Sequence, residues 1–241
     1  MPRSSRPRVR SVLVLLVAWG MASLACSAQP APRRVPDTMA QRVQPCTVCH
    51  GPGGRASNGG YFPRIAGKPA GYLYNQLINF REGRRTYAAM THLVDYLSDA
   101  YLREMAEHFA ALDLPYPAAQ TRDALPLVLA QGQSLVLHGD AQRRIPACVA
   151  CHGAAMTGIA PAVPGLLGLP RDYVVAQLGA WQTGKRHATA PDCMGQIATQ
   201  LTASEISAVA TWLSAQALPA QPRALPRRTT DWPLECGSGA Q

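Results

Sequence analysis

Phenylalanine is scarce: the 241-residue chain has three, and aromatic residues of all kinds make up 6%. So few rings leave a core under-filled unless something other than side chains occupies it. Charge is thin as well, at 15%, with 14 acidic residues against 23 basic ones. That excess does not make a nucleic-acid footprint, because the arginines are scattered and no basic run is interleaved with aromatics. No convincing alternation of apolar and polar residues marks a strand, which argues against a sandwich or barrel. The unbroken apolar run Val12–Trp19 is too short to cross a bilayer as a mature helix.

What is there begins with that run. Arginines at 3, 6, 8 and 10 precede it and small residues follow it, the layout of a secretory signal. Cys26 and Ala28 suit the positions before a cut at Gln29, so residues 1–28 are expected to leave a periplasmic mature chain. An uncut anchor is the alternative, as is a lipidated Cys26, although Ser23 stands where a lipobox has an aliphatic residue. The signal holds four of the 23 basic residues and none of the 14 acids, so the remainder stands at 19 to 14, a net +5. About 210 mature residues suit one large domain or two of about 100. Proline (21) and glycine (20) predict many loops.

The chain repeats itself. CTVCHG begins at Cys46 and CVACHG at Cys148, and Phe62–Arg85 aligns without gaps on Val163–Arg186. Pro63/Pro164, Gly67/Gly168, Tyr72/Tyr173, Gln76/Gln177, Gly83/Gly184 and Arg85/Arg186 coincide. After a three-residue insertion Leu97–Leu112 aligns on Leu201–Gln216. Two copies mean domain duplication, not a solenoid. Apolar residues at i, i+4 and i+8 predict helices over Tyr72–Phe80 and Tyr173–Trp181, with Gly83 and Gly184 as stops. Ser98 and Thr202–Glu205 read as starts of a further helix in each repeat. The expected domains are 29–114 and 127–218, with a proline-rich linker over 115–126, a helix from Leu127 to Gly139, and an irregular tail over 219–241.

In CxxCH, two thiols add to the vinyl groups of one haem, and the next residue offers an imidazole to the iron. A structural zinc site of four thiolates is the alternative for Cys46, Cys49, Cys148 and Cys151. Against it, each pair is followed by His-Gly inside its own repeat. His50 and His152 are therefore the expected proximal ligands. Met90 lies 40 residues after His50 and Met194 lies 42 after His152, both just before the last helix of a repeat. A thioether is a neutral donor that raises a haem potential, so these two are the expected distal ligands. Met105 reads as core, Met156 is too near His152 to reach the other haem face, and His92 and His187 read as surface residues. The loops at Pro63 and Pro164 offer a carbonyl that can accept the second ring N–H of each histidine. Two porphyrins would fill the under-filled core, and their four propionates would bring the protein near neutrality. Cys193 and Cys236 remain, an expected disulfide in an oxidising compartment.

These residues resemble the di-haem class I cytochromes c, specifically the cytochrome c4-like group. The likeness covers about Gln44–Leu112 and Leu127–Gln216 and rests on four features. They are CxxCHG, P-x-(I/L)-x-G, Y-x-x-x-Q-L-x-x-(F/W)-x-x-G-x-R and the Met before the final helix. It implies an all-α fold of two tandem class I cytochrome c domains, each wrapped around one covalently bound haem c. It implies electron transfer between redox protein partners, a respiratory or dehydrogenase donor and a terminal acceptor, with any membrane contact made through a partner or an uncut N-terminal segment. The chain departs from the pattern in lacking a clear helix before Cys46 and in carrying Cys193 beside Met194. Di-haem cytochromes that act on thiosulfate use a cysteine as iron ligand, so a thiosulfate dehydrogenase-like enzyme using Cys193 at the second haem is the alternative function. A di-haem peroxidase would need an open iron site, whereas here each haem has a matched methionine.

Overall fold

The computed structural model describes residues 34–56, 61–116, 119, 124–227 and 232–239. The expected signal, residues 1–28, lies outside them, as do parts of the expected linker and tail. Residues 34–36 fall with the N-terminal stretch in a separate unit and form no helix or strand; everything from Asp37 onward is one compact unit.

Helix content dominates. The first repeat contains α1 (Met39–Arg42), α2 (Gln44–His50), a 3-10 turn (Pro52–Gly54), α3 (Ala70–Arg81), α4 (Ala88–Val94) and α5 (Asp99–Ala111). The second contains α6 (Pro126–His138), α7 (Cys148–His152), α8 (Arg171–Gln182), α9 (Cys193–Ala198) and α10 (Ala203–Ala215). Two details differ from the sequence reading. A short helix, α1, does precede Cys46, capped by Thr38 accepting from the Gln41 amide; four residues carry no periodicity to read. A two-residue antiparallel pair, β1 (Gly158–Ile159) with β2 (Val163–Pro164), also closes the loop after α7, too short to show as alternation.

The same local chemistry starts the matching helices. Ser98 accepts from the Tyr101 amide to begin α5. Thr202 and Glu205 form a reciprocal capping box at α10, with Glu205 N–H donating to Thr202 Oγ1 at 3.2 Å and Thr202 N–H to Glu205 Oε2 at 2.8 Å. In each repeat the last helix packs on the helix after the P-x-(I/L)-x-G loop: α5 on α3, α10 on α8. In the second repeat α10 also packs along α6. Leu102 on α5 and Leu213 on α10 are almost fully buried, each burial contributing roughly 1.5–3 kcal/mol. Met105 and Met156 are buried among these core residues. Neighbouring α3 also touches β2 of the second repeat, so the first repeat reaches the loop beside the second CxxCH.

Candidate haem sites

Each CxxCH lies on a helix that ends at its histidine, and the next residue is a glycine at positive φ: Gly51 at 75° and Gly153 at 83°. An L side chain is strained in that region, so glycine lets the chain turn away sharply and leaves the imidazole facing inward. Both rings are buried, with His50 8% and His152 6% exposed. His50 Nδ1 lies 2.8 Å from the Pro63 carbonyl, and His152 Nδ1 lies 2.7 Å from the Pro164 carbonyl. With Nδ1 donating, Nε2 is the nitrogen left to bind a metal. Burial is the largest influence on both rings and pushes their pKa down; the proline carbonyl opposes it, and a cation adds to it, Arg85 at His50 and Lys68 at His152. Both rings are thereby held neutral, the form that ligates iron.

One cavity of about 620 Å³ brings the parts together. Cys46, Cys49, His50 and Met90 line it from the first repeat, and Cys148, Cys151, His152 and Met194 from the second. Pro63 and Pro164 line it as well. The four CxxC sulfurs are free of disulfides, and burial raises the Cys46 thiol and pushes Cys148 up to about 11. Among the described residues no three His, Cys, Asp or Glu side chains come together, so the two CxxC pairs do not assemble a zinc set. His92 and His187 are exposed. The cavity wall is mostly apolar, as a porphyrin face requires, with a cationic stretch where the repeats meet. There Arg85 and the buried Arg186 share the oxygens of Gln76 and Gln177. Among the described residues neither guanidinium pairs with a carboxylate, a setting suited to the propionates of haem.

Three features were not readable in the sequence as parts of the site. Arg85 and Arg186 appear there only as matching repeat positions. Lys68 carries no motif. The tail is expected only to be irregular, but Trp232, Leu234, Cys236, Ser238 and Gly239 line the cavity. It is pinned by a Cys193–Cys236 disulfide with Cα atoms 5.0 Å apart, and by the Gly237 amide donating to the Pro191 carbonyl at 2.9 Å. Its reach extends to the first repeat, where Asn75 Nδ2 donates to the Ser238 carbonyl at 3.3 Å. Counting the cysteines could suggest the disulfide but not the cavity contact.

Two CxxCH turns with buried imidazoles on one apolar cavity define a class, the di-haem c-type cytochromes. No family model matches the chain. A thiosulfate dehydrogenase electron acceptor of Thiomonas intermedia is 36% identical over 174 residues, covering 72% of this chain and 79% of that one. The cytochrome c4 of Pseudomonas aeruginosa is 34% identical over 170 residues, covering 70% and 82%. The crystal structure of reduced recombinant cytochrome c4 from Pseudomonas stutzeri superposes with a TM-score of 0.62 at 26% identity, over 76% of this chain and all of that one. The chain belongs to the cytochrome c4 family. It is an electron-transfer protein of two tandem cytochrome c domains with two haem c groups.

Proposed function

We propose that this protein works in the periplasm, taking electrons from a thiosulfate-oxidising dehydrogenase and passing them to a further redox protein. In this reading Cys46, Cys49, Cys148 and Cys151 hold the haems by thioether bonds. His50 and His152 are the proximal ligands and Met90 and Met194 the distal ones, in domains spanning 29–114 and 127–218. Each haem c supplies, when bound, a one-electron iron(III)/iron(II) couple. The chain's own residues set its surroundings. Pro63 and Pro164 fix the orientation of the imidazoles, and the apolar wall keeps water from the irons. Arg85 and Arg186 provide charge for the propionates.

The observation that carries this reading is the matched histidine–carbonyl pairing at 2.8 and 2.7 Å on a cavity that also receives both methionines. With a histidine and a thioether at each iron, no coordination position is left for substrate, which suits a carrier. The donor assignment is supported by the relatives named as thiosulfate dehydrogenase electron acceptors. The periplasmic assignment is supported by the disulfide, a bond of oxidising compartments. The alternative, an enzyme using a Cys193 thiolate, loses its ligand: that sulfur is bonded to Cys236.

The test is anaerobic mixing of the oxidised holoprotein with thiosulfate, with and without a purified thiosulfate dehydrogenase, followed in the visible spectrum. Reduction of both haems only when the dehydrogenase is present is the expected result. Reduction by thiosulfate alone would restore the enzyme reading, and no reduction in either mixture would remove the donor assignment.

A further inference from the structure

Lys68 is a buried ammonium in the junction between the repeats, 4% exposed. It belongs to the first repeat, yet its Nζ donates to the carbonyl of Gly165 in the second at 2.8 Å. Gly165 follows Pro164, whose carbonyl accepts from His152 Nδ1 at 2.7 Å. Two adjacent carbonyls of one loop are thus occupied by the second imidazole and by a cation from the other domain. Among the described residues no carboxylate pairs with this ammonium. Burial, then repulsion from Arg64, pushes its pKa down to about 8, which leaves it mostly protonated at neutral pH. The matching position in the second repeat is Leu169, so the second repeat has no ammonium at the corresponding place. The cation that acts on His50 is instead Arg85, from its own repeat.

Burying an ammonium beside no carboxylate of the chain carries a desolvation penalty, and Lys68 stands two residues before α3 begins at Ala70. Its effect falls on the neighbouring redox centre. Reduction adds one electron to an iron, lowering the local charge by one, and a fixed positive charge nearby in a low-dielectric interior favours that reduced state. We propose that Lys68 is an electrostatic determinant, supplied by the first domain, that raises the reduction potential of the second haem. This rests on the reading of His152 and Met194 as that haem's ligands. Electrons arriving on the first haem are thereby drawn toward the second, and the second potential depends on the domains remaining docked.

The experiment is a spectroelectrochemical titration of the holoprotein and of Lys68→Gln, Lys68→Arg and Met194→His. Haem content is measured in each by alkaline pyridine spectra. Met194→His exchanges thioether for imidazole and so identifies the second haem's wave by its large downward move. Lys68→Gln keeps an N–H donor for Gly165 while removing the charge. The second wave is expected to fall in Lys68→Gln, with the first unmoved, and to stay near its original position in Lys68→Arg. Unmoved waves in Lys68→Gln, or equal shifts of both, would overturn the role of Lys68 while leaving the ligand assignment intact. If the glutamine variant fails to fold, Lys68→Arg decides alone, because a large fall of the second wave with the charge retained would also overturn the role. A native protein with fewer than two haems, or a Met194→His variant with unchanged waves, would remove the underlying reading instead.

Discussion

Arg85 and Arg186 face each other across the repeat junction as an antiparallel bridge, and each guanidinium takes the other repeat's glutamine as well as its own. Arg85 donates to Gln76 Oε1 at 2.9 Å and to Gln177 Oε1 at 2.6 Å. Arg186 donates to Gln177 Oε1 at 2.8 Å and to Gln76 Oε1 at 3.1 Å. Backbone bonds flank the pair, with the Thr86 amide donating to the Lys185 carbonyl at 2.8 Å and the His187 amide to the Arg84 carbonyl at 2.6 Å. The duplication therefore produces an interlocked junction.

Gln177→Leu removes an acceptor shared by two cations and strands the Arg186 Nη1 donor, while Arg85 Nη2 keeps the Tyr173 hydroxyl at 3.2 Å. Leaving a charged buried donor unpaired costs about 2–3 kcal/mol, so this variant should lose stability by that amount in chemical denaturation. It should also uncouple the domains, seen as two unfolding transitions in place of one. A loss below the error of the measurement would show that the glutamines do not hold the junction.

The disulfide closes a loop with a sequence separation of 43, and a cross-link of that span contributes about 3–4 kcal/mol in the chain-entropy account. Paired replacement, Cys193→Ser with Cys236→Ser, should lower the unfolding midpoint accordingly. Because Leu234, Cys236 and Ser238 line the cavity, it should also open the interior to water, detectable as faster hydrogen exchange of the α9 amides. Unchanged exchange would mean that the tail stays seated without its bond.

Much of the helical frame was legible in the sequence, because amphipathic spacing, glycine stops and caps act over a few residues. The periodic stretches Tyr72–Phe80 and Tyr173–Trp181 sit inside α3 and α8, and Ser98 and Thr202 cap α5 and α10. CxxCH was legible for the same reason, since its chemistry is fixed within five residues. Pairing of Pro63 with His50 and of Pro164 with His152 could be read from the duplication. Lys68 on Gly165 could not, because 97 positions separate them and only the docking of the repeats brings them together. The tail's entry into the cavity is equally long-range, and α1 is too short for any period to register.

Acid should weaken the second domain through Glu205. Hydrogen bonds from Arg143, at 2.6 and 3.1 Å, and the capping bonds from Thr202 hold its carboxyl below the usual 4.5. A carboxylate whose folded pKa is depressed contributes stability that is present above the unfolded pKa and lost as pH falls through the folded one. The loss should begin near pH 4.5 and grow below it. Glu205→Gln should remove this dependence and cost about 1 kcal/mol at neutral pH, the ion pair being partly screened. A variant as acid-sensitive as the parent would assign the acid loss to other carboxyls.

Loss of one distal sulfur should be local. Met90→Ala should abolish the thioether–iron charge-transfer band of one haem and leave half of its intensity, and Met194→Ala should do the same for the other. Full intensity in either variant would identify a different sixth ligand.

A potentiometric titration of the native holoprotein, with spectra taken at each step, tests the paired one-electron design most directly. Two one-electron waves at positive potential are expected, each accompanied by loss of a thioether–iron charge-transfer band on reduction. A single wave, or a strongly negative wave without that band, would contradict two histidine–methionine haems working as an electron carrier.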